Sequence, residues 1–249
     1  MKKDAVLRIF LVRHGRTALE GRYKGQIDLP MTSRGIKDIE GAALTIKKAL
    51  KGKRKRLDAL YTSDLARAVQ SAEIIAGALH VKRVTRMDLL RERAFGKWEG
   101  MRYDEIEKMY PREFGLWVRD PFTHSPAGGE SSRRVKERAL ASIKEIIGGS
   151  RDGESLAVVS HSGILRVLLC HFLGMPYKNI FRAEVDFGSV SLVELFDGKT
   201  PVVKFMNFKP DIIFPHPCPL PEGEGGPGTQ CYERSGKVRE FKTSMRNKK

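Results

Sequence analysis

The sequence predicts an α/β fold in which a mainly parallel sheet has helices on both faces and an antiparallel strand at one edge. Two apolar runs rich in Val, Ile and Leu, at 6–12 and 156–159, have the composition of strands buried in a parallel sheet. Strand-like and helix-like segments alternate along the chain, as expected when helices connect parallel strands. The runs 190–196 and 201–208 flank an Asp-Gly pair, which is a strong signal for an antiparallel hairpin.

Two amphipathic helices are predicted after the first strand. The first begins at Thr32-Ser33, because apolar residues then recur at helical spacing. Its apolar stripe comprises Ile36, Ile39, Ala43, Ile46 and Leu50. A strand at 57–61 precedes the second helix, over 64–79, and a further strand is predicted at 81–84. The stripe of the second helix comprises Leu65, Val69, Ala72, Ala76 and Leu79.

The segments from residue 88 to the hairpin are predicted to contain two long helices and one irregular stretch. Residues 88–129 carry glycine, proline and aromatic residues and are predicted to be irregular, apart from a short helix around 103–110. Apolar residues at helical spacing predict a helix around 135–146. The mostly apolar stretch 164–173 predicts another helix, directly after the second buried strand.

The composition changes at about residue 209, where prolines begin to alternate with glycines in a polar run. Such a segment buries little apolar surface, so we expect a folded domain over 1–208 and a disordered tail over 209–249. His216, Cys218 and Cys231 lack the compact spacing and the fourth ligand of a metal site. No metal is therefore predicted.

Charge and cysteine content restrict the class of protein. The formal net charge of +16 is compatible with nucleic acid, an anionic membrane or a phosphorylated substrate as partner. No nucleic-acid-binding module and no interleaving of aromatic with basic residues is recognised, which makes nucleic acid an unlikely partner. No apolar run approaches the length of a membrane span, so no membrane partner is predicted. The three scattered cysteines are too few for a disulfide framework, and a cytoplasmic location is predicted.

Charged and titratable residues follow the two buried strands directly. Arg13 and His14 follow the first strand, and His161 follows the second. Open α/β sheets bind ligands beyond the carboxyl ends of their strands, so we expect these side chains to share one site. Arg67, in the first turn of helix 64–79, adds a second guanidinium suited to phosphate oxygens. Glu92 can supply the carboxyl group of a phosphate-processing site.

A series of motifs spans the chain from about residue 6 to residue 208. They are the segments 11–17 (LVRHGRT), 25–32 (GQIDLPMT), 61–68 (YTSDLARA), 91–100 (RERAFGKWEG), 128–131 (GGES) and 160–163 (SHSG). In this order they resemble the histidine phosphatase superfamily, in its phosphoglycerate mutase-like branch. Within it, the chain looks most like the α-ribazole phosphatase-type and broad-specificity phosphatases.

The resemblance implies a phosphoglycerate mutase-like fold and a metal-independent phosphomonoesterase that needs no cofactor. His14 would attack phosphorus and form a phosphohistidine. Arg13, Arg67 and His161 would neutralise the phosphate oxygens, so that catalysis rests on positioning and electrostatics. Glu92 would protonate the leaving group and then, as a carboxylate, activate the hydrolytic water.

Two further phosphate ligands, Thr17 and Gln26, are implied by the same motifs. The chain departs from the family pattern at three positions. Arg16 stands where an acidic residue is commoner and is expected to add positive charge at the mouth of the site. Glu20 replaces a common Asn, which leaves the substrate preference open, and Ser162 replaces a Gly.

A small phosphorylated metabolite is the predicted substrate, and three alternatives stay open. These are a phosphoglycerate mutase, a phosphohistidine protein phosphatase, and a basic nucleic-acid-binding protein from a different functional class. The segment 95–100 has the phosphatase-like form, and no long insertion follows it. Segment 98–127 is expected to cap the pocket and set selectivity. The sequence indicates neither the individual substrate nor the oligomeric state.

Overall fold

A six-stranded sheet organises the part of the chain that the computed structural model describes, which is residues 6–50, 56–210, 231–232 and 238–239. The strand order is β3-β2-β4-β1-β5-β6. The strands β1 to β4 are mutually parallel, β5 is antiparallel to its neighbour β1, and β6 is antiparallel to β5. The strands are β1 Leu7–Arg13, β2 Ala59–Thr62, β3 Val84–Arg86, β4 Ser155–Ser160, β5 Val190–Phe196 and β6 Thr200–Phe208. The predicted fold class is confirmed, and the antiparallel edge consists of two strands.

Two helices cover each face of this sheet: α1 Ser33–Ala49 and α2 Ala66–Leu79 on one, and α5 Ser132–Gly148 and α6 Ser162–Phe172 on the other. The helices α3 Tyr103–Met109 and α4 Pro111–Arg119 lie between α2 and α5 in the chain and belong to a separate cluster. Successive strand residues point to opposite faces: in β1, Phe10 and Val12 pack with α1 and α2, whereas Ile9 and Leu11 pack with α5 and α6. Among the described residues, no helix is both long and apolar enough to cross a membrane.

The buried face of α2 contains most of the predicted stripe and one charged side chain beside it. Leu65 and Ala72 are buried, and Ala76 and Leu79 pack against the core while partly buried. Arg67 is also buried, because its guanidinium donates to carbonyls of the loop 25–27. Apolar periodicity could not predict this burial, since the contacts of Arg67 lie far away in sequence.

The segment predicted to be irregular contains a separate small core. Trp98, Ile106, Phe114 and Trp117 form a buried cluster that joins α3 and α4. The helix α4 was not predicted, although Pro111 occupies its first turn, where proline is well tolerated. Only Phe114 and Trp117 of α4 are buried. Two apolar positions are too few to establish helical spacing, so the sequence pattern does not predict this helix.

The second compact unit of the chain begins at Asp211. Within it the structure describes only the antiparallel pairing of β7, Cys231–Tyr232, with β8, Val238–Arg239. The other residues over 211–249 lie outside the described part of the chain. The predicted division into a domain over 1–208 and a disordered tail over 209–249 stays a prediction.

Candidate active site

The sheet topology brings the two histidine segments together. Strands β1 and β4 are parallel neighbours, and their register pairs Arg13 with Ser160. His14 and His161 therefore leave the sheet side by side, at its carboxyl edge. Their ring centroids are 4.9 Å apart, and both side chains are buried.

The imidazole of His14 is held with one nitrogen free. Its Nδ1 lies 2.7 Å from the carbonyl oxygen of Gly15. A carbonyl can only accept a hydrogen bond, so Nδ1 carries the proton and Nε2 keeps a lone pair. Burial, together with repulsion from Arg67 and Arg13, holds the pKa of His14 well below its usual value. The arrangement favours a neutral, nucleophilic imidazole.

Two guanidiniums accompany His14, that of the buried Arg67 and that of the half-buried Arg13. That of Arg13 lies 3.6 Å from the centroid of the Phe187 ring and donates from Nη1 to the carbonyl of Val185 at 2.7 Å. That of Arg67 donates to two carbonyls of the loop 25–27, each at 2.7 Å. Burial lowers the pKa of Arg13 to about 10 and also lowers the pKa of Arg67.

Neither guanidinium has a carboxylate partner within ion-pair distance in the described residues. The Nε of Arg13 and the Nε of Arg67 are both buried without a hydrogen-bond acceptor there. A buried cation is costly unless an anion pairs with it. The pair is therefore suited to hold an anion with several oxygen atoms, such as phosphate.

Glu92 lies against the start of α6. Its Oε2 accepts from the Ser162 hydroxyl and from the Gly163 amide, both at 3.2 Å, and its Oε1 accepts from the Arg93 amide at 2.9 Å. A Cβ at position 163 would overlap Oε1, so the close approach requires glycine. These contacts aim one carboxyl group at the cavity that His14 also lines.

His161 lies deeper than His14 and is fully buried. Its Nε2 is 2.9 Å from the hydroxyl of Ser63, which also accepts a bond from the Leu65 amide at 3.3 Å. Its Nδ1 has no hydrogen-bond partner in the described residues. Burial, with repulsion from His14 and Arg67, lowers the pKa of His161 well below its usual value.

Arg13, His14, Arg67 and Glu92 line a cavity of about 500 Å³, a size typical of small-molecule sites. Its wall combines basic residues with an unusual number of aromatic ones. The aromatic residues are Tyr23, Phe95, Trp117, Phe122, Tyr177, Phe181 and Phe187. Trp117 and Phe122 come from segment 98–127, so the expectation that this segment caps the pocket agrees with its position.

Comparison with known proteins identifies the family. The sequence profile of the histidine phosphatase superfamily (branch 1) matches residues 9–208. The chain belongs to this superfamily. Because it belongs to this superfamily and its relatives include proteins named as phosphatases, the chain is a phosphatase. The described part of this histidine phosphatase holds no group of three or more His, Cys, Asp or Glu side chains that could bind a metal ion.

Relatives of this histidine phosphatase include enzymes named for phosphoserine. Phosphoserine phosphatase 1 of Hydrogenobacter thermophilus is 28% identical over 80% of this chain and 92% of its own. The metal-independent phosphoserine phosphatase of Arabidopsis thaliana is 32% identical over 79% of this chain and 80% of its own. The α-ribazole phosphatase structure from Shigella flexneri has a TM-score of 0.71 at 24% identity, covering 81% and 96% of the two chains, and shows the shared fold.

Five of the predicted site residues lie around one point in this histidine phosphatase. Arg13, His14, Arg67 and Glu92 line the cavity, and His161 contacts the His14 ring. Their predicted roles as nucleophile, phosphate ligands and acid belong to the proposal below.

The other two predicted ligands have their side chains engaged within the protein. The hydroxyl of Thr17 donates to the Ala18 carbonyl at 3.2 Å, and the amide of Gln26 donates to the Glu92 carbonyl at 3.1 Å. Neither side chain lines the cavity. Gln26 thus supports the segment that carries the acid, and phosphate binding by Thr17 and Gln26 stays a prediction.

The three residues that depart from the family pattern, Arg16, Glu20 and Ser162, lie in different surroundings. Arg16 forms a two-pronged ion pair with Asp38, at 2.7 and 3.0 Å, and does not line the cavity. The expectation that Arg16 adds positive charge at the mouth was therefore wrong, since a carboxylate on α1 neutralises it. Glu20 lines the cavity with a largely exposed side chain. Ser162 replaces a Gly and donates to Glu92.

Several residues at the site were missed by sequence analysis. Ser63 follows β2 directly, so the rule that revealed the histidines could have found it. Lys24, Lys136 and Arg166 line the cavity, but surface lysines and arginines are too common for their charge to be a signal. Phe187 precedes β5 in a turn, where no pattern indicates a contact with Arg13.

Proposed function

We propose that this histidine phosphatase is a metal-independent phosphomonoesterase that hydrolyses a small phosphorylated metabolite through a phosphohistidine intermediate. The observation that carries the proposal is His14, held through Nδ1 with Nε2 free, beside the guanidiniums of Arg13 and Arg67, which have no carboxylate partner among the described residues. The names of the phosphoserine phosphatase relatives support it. The scattered cysteines, with Cys170 a buried free thiol, are consistent with the proposed cytoplasmic location.

In the first step, Nε2 of His14 attacks phosphorus and forms a P–N bond while the ester P–O bond breaks. The leaving oxygen takes the proton of Glu92 in its acid form. Arg13 and Arg67 stabilise the charge on the non-bridging oxygens, which the buried setting strengthens. With the Ser63 hydroxyl donating to Nε2 of His161, Nδ1 of that ring is a further donor to these oxygens.

In the second step, the Glu92 carboxylate takes a proton from water, and the oxygen of that water attacks phosphorus. The P–N bond breaks, inorganic phosphate leaves, and the ring of His14 is neutral again. The Gly15 carbonyl holds the Nδ1 proton throughout, which stabilises the positive charge of the phosphorylated ring.

The lining of the site favours a small substrate over a protein. A phosphohistidine in a protein chain requires an open, shallow mouth, whereas Trp117 and Phe122 of segment 98–127 form part of the wall of this cavity. Its aromatic wall suits the carbon skeleton of a metabolite, since such rings bury large apolar area.

Hydrolysis of p-nitrophenyl phosphate and of a panel of small phosphate monoesters, in excess chelator, tests the proposal. We expect turnover and an acid-labile phosphoenzyme, both abolished in His14→Ala. His171→Ala is the matched control, because His171 is exposed on α6 and should retain both. Near-normal activity of His14→Ala, or activity that chelator removes and a divalent ion restores, would contradict the proposal.

A further inference from the structure

The cavity carries more positive charge than one phosphate group needs. Seven arginine and lysine side chains line it, against the carboxylates of Glu20 and Glu92. Arg22 pairs with Glu105 at 2.9 Å. Arg93 has no carboxylate within ion-pair distance among the described residues, but all three of its guanidinium nitrogens donate to neighbouring protein groups. The other five also have no carboxylate within ion-pair distance in the described residues. They are Arg13, Lys24, Arg67, Lys136 and Arg166.

These five cations fall into an inner and an outer group. Arg13, Arg67 and Lys24 act directly on His14, since repulsion from each lowers the pKa of that imidazole. They account for the phosphate that His14 attacks. Lys136 on α5 and Arg166 on α6 line the cavity from these two helices, and they form the outer group. Arg166 lies near enough to Arg13 for its charge to contribute to the lowered pKa of Arg13.

Aromatic side chains hold the outer cations at the wall without neutralising them. Nζ of Lys136 lies 4.0 Å from the ring centroid of Tyr177, and Cζ of Arg166 lies 5.8 Å from that of Phe181. Nε of Arg166 donates to the Ala183 carbonyl at 2.9 Å, which orients the guanidinium. Both cations are half-buried, so an anion that meets them is screened less than at an open surface.

We propose that Lys136 and Arg166 bind a second anionic group of the substrate. The substrate is then a phosphate monoester that also carries a carboxylate or another phosphate, and this inference rests on the proposed phosphatase function. One phosphate monoester brings at most two negative charges, which the inner group already matches. The cavity of about 500 Å³ has room for a carbon skeleton between the two anionic groups.

Matched substrate pairs test this second anion site. Phosphorylated hydroxy acids of increasing chain length are compared with their neutral amides, and diol bisphosphates with the corresponding monophosphates. We expect kcat/KM to favour the doubly anionic member at one chain length by about tenfold or more, chiefly through KM, because a charge-assisted hydrogen bond is worth that much. The two series distinguish a carboxylate from a phosphate as the second group.

Two lysines of α5 provide the matched variants. Lys136→Gln should lower the preference for the doubly anionic substrate about tenfold, and Lys136→Arg, which keeps the charge, should retain much of it. Lys144→Gln removes the same charge from an exposed position on the same helix and should keep the full preference. The loss in Lys136→Gln should also diminish at high salt.

The outcomes separate the two proposals. Equal kcat/KM for acid and amide, and for bisphosphate and monophosphate, at every chain length would overturn the second anion site. An unchanged preference in Lys136→Gln would do the same, and in both cases hydrolysis of p-nitrophenyl phosphate would leave the phosphatase proposal standing. If the wild-type chain hydrolyses no phosphate monoester, the phosphatase proposal itself fails.

Discussion

At the scale of single residues, the site depends on which hydrogen-bond positions the protein leaves open. The Gly15 carbonyl fixes the proton of His14 on Nδ1, and Ser63 fixes one nitrogen of His161. Arg13 and Arg67 each donate hydrogen bonds to backbone carbonyls, and these bonds orient the planar guanidiniums. The Nε of each is buried without an acceptor in the described part of the chain and is thus preorganised for an anion.

The role of Glu92 is testable through the leaving group. Glu92→Gln should slow phosphorylation of the enzyme by an alkyl phosphate about 10²- to 10⁴-fold, because an alkoxide needs a proton in the transition state. p-Nitrophenolate is a far weaker base, so p-nitrophenyl phosphate should show a visibly smaller defect. Pre-steady-state rates are required, since Glu92 also serves the second step.

Equal defects on both substrates would remove Glu92 from the acid role. The control is Glu99→Gln: Oε1 of Glu99 accepts from the amides of Gln26 and Phe95, at 2.9 and 3.0 Å, so its role is to hold loops. We expect its defect to be independent of the leaving group.

At the scale of elements, α6 joins the histidine strand to the acid. It begins at Ser162, directly after His161, and the Ser162 hydroxyl and the Gly163 amide both donate to Glu92. A helix N-terminus stabilises negative charge, so this geometry suits a group that becomes a carboxylate in each cycle. The element that follows β4 thus positions a residue that lies about 70 positions earlier in the chain.

Gly163→Ala tests this packing. The new Cβ would overlap Oε1 of Glu92, so the carboxyl must move while α6 stays in place. A misplacement of about 1 Å can cost about 10²-fold in rate. We expect a fall in kcat that is larger for alkyl phosphates than for p-nitrophenyl phosphate, with thermal unfolding close to that of the wild type.

Gly77→Ala is the matched control for this prediction. Gly77 lies in α2, and the position that an added Cβ would take there is open space. Alanine should therefore keep activity and add about 0.5–1 kcal/mol to the free energy of unfolding. Unchanged kinetics in Gly163→Ala would show that the close contact does not position the acid.

At the scale of the whole molecule, the ends of the two central strands, β1 and β4, place titratable side chains in the protein interior, where such groups are uncommon. His14 and His161 are both buried, with pKa values well below the usual 6.5 for histidine. The buried Arg67 and the half-buried Arg13 lie beside them. The fold therefore holds two neutral histidines and a cluster of positive charges without anionic partners at one edge of its sheet. This arrangement lowers the free energy of unfolding of the free enzyme, and substrate binding offsets the loss.

This burial predicts how stability depends on pH. Because the folded pKa of each histidine lies below its unfolded value, the unfolded chain binds more protons at mildly acidic pH. The free energy of unfolding should fall as the pH decreases through about 6.5, by up to about 1.4 kcal/mol per pH unit for each histidine. Urea unfolding at pH 7.5 and 5.5 measures the decrease.

His161→Gln should show about half of the wild-type decrease, since it removes one of the two groups. His171→Gln, at an exposed position, should show all of it. A free energy of unfolding that is equal at the two pH values in the wild type would contradict the depressed pKa values.

The sequence by itself determined the sheet, most helices and the identity of the central site residues. Buried parallel strands are apolar runs, and the residues that follow them must meet at one edge of the sheet. His14 and His161 could therefore be placed together from local patterns alone. Arg67 and Glu92 followed from the order of the motifs, before any contact was known.

Only the tertiary structure decided which charges act at the site. Arg16 is neutralised by Asp38, whereas Lys136 and Arg166 meet no carboxylate of the described residues at the cavity wall. The side chain of Gln26 turns to the Glu92 backbone. Burial and ion pairing depend on partners that are distant along the chain, so local sequence patterns cannot assign them, and the charge available to a substrate emerges only when the helices pack.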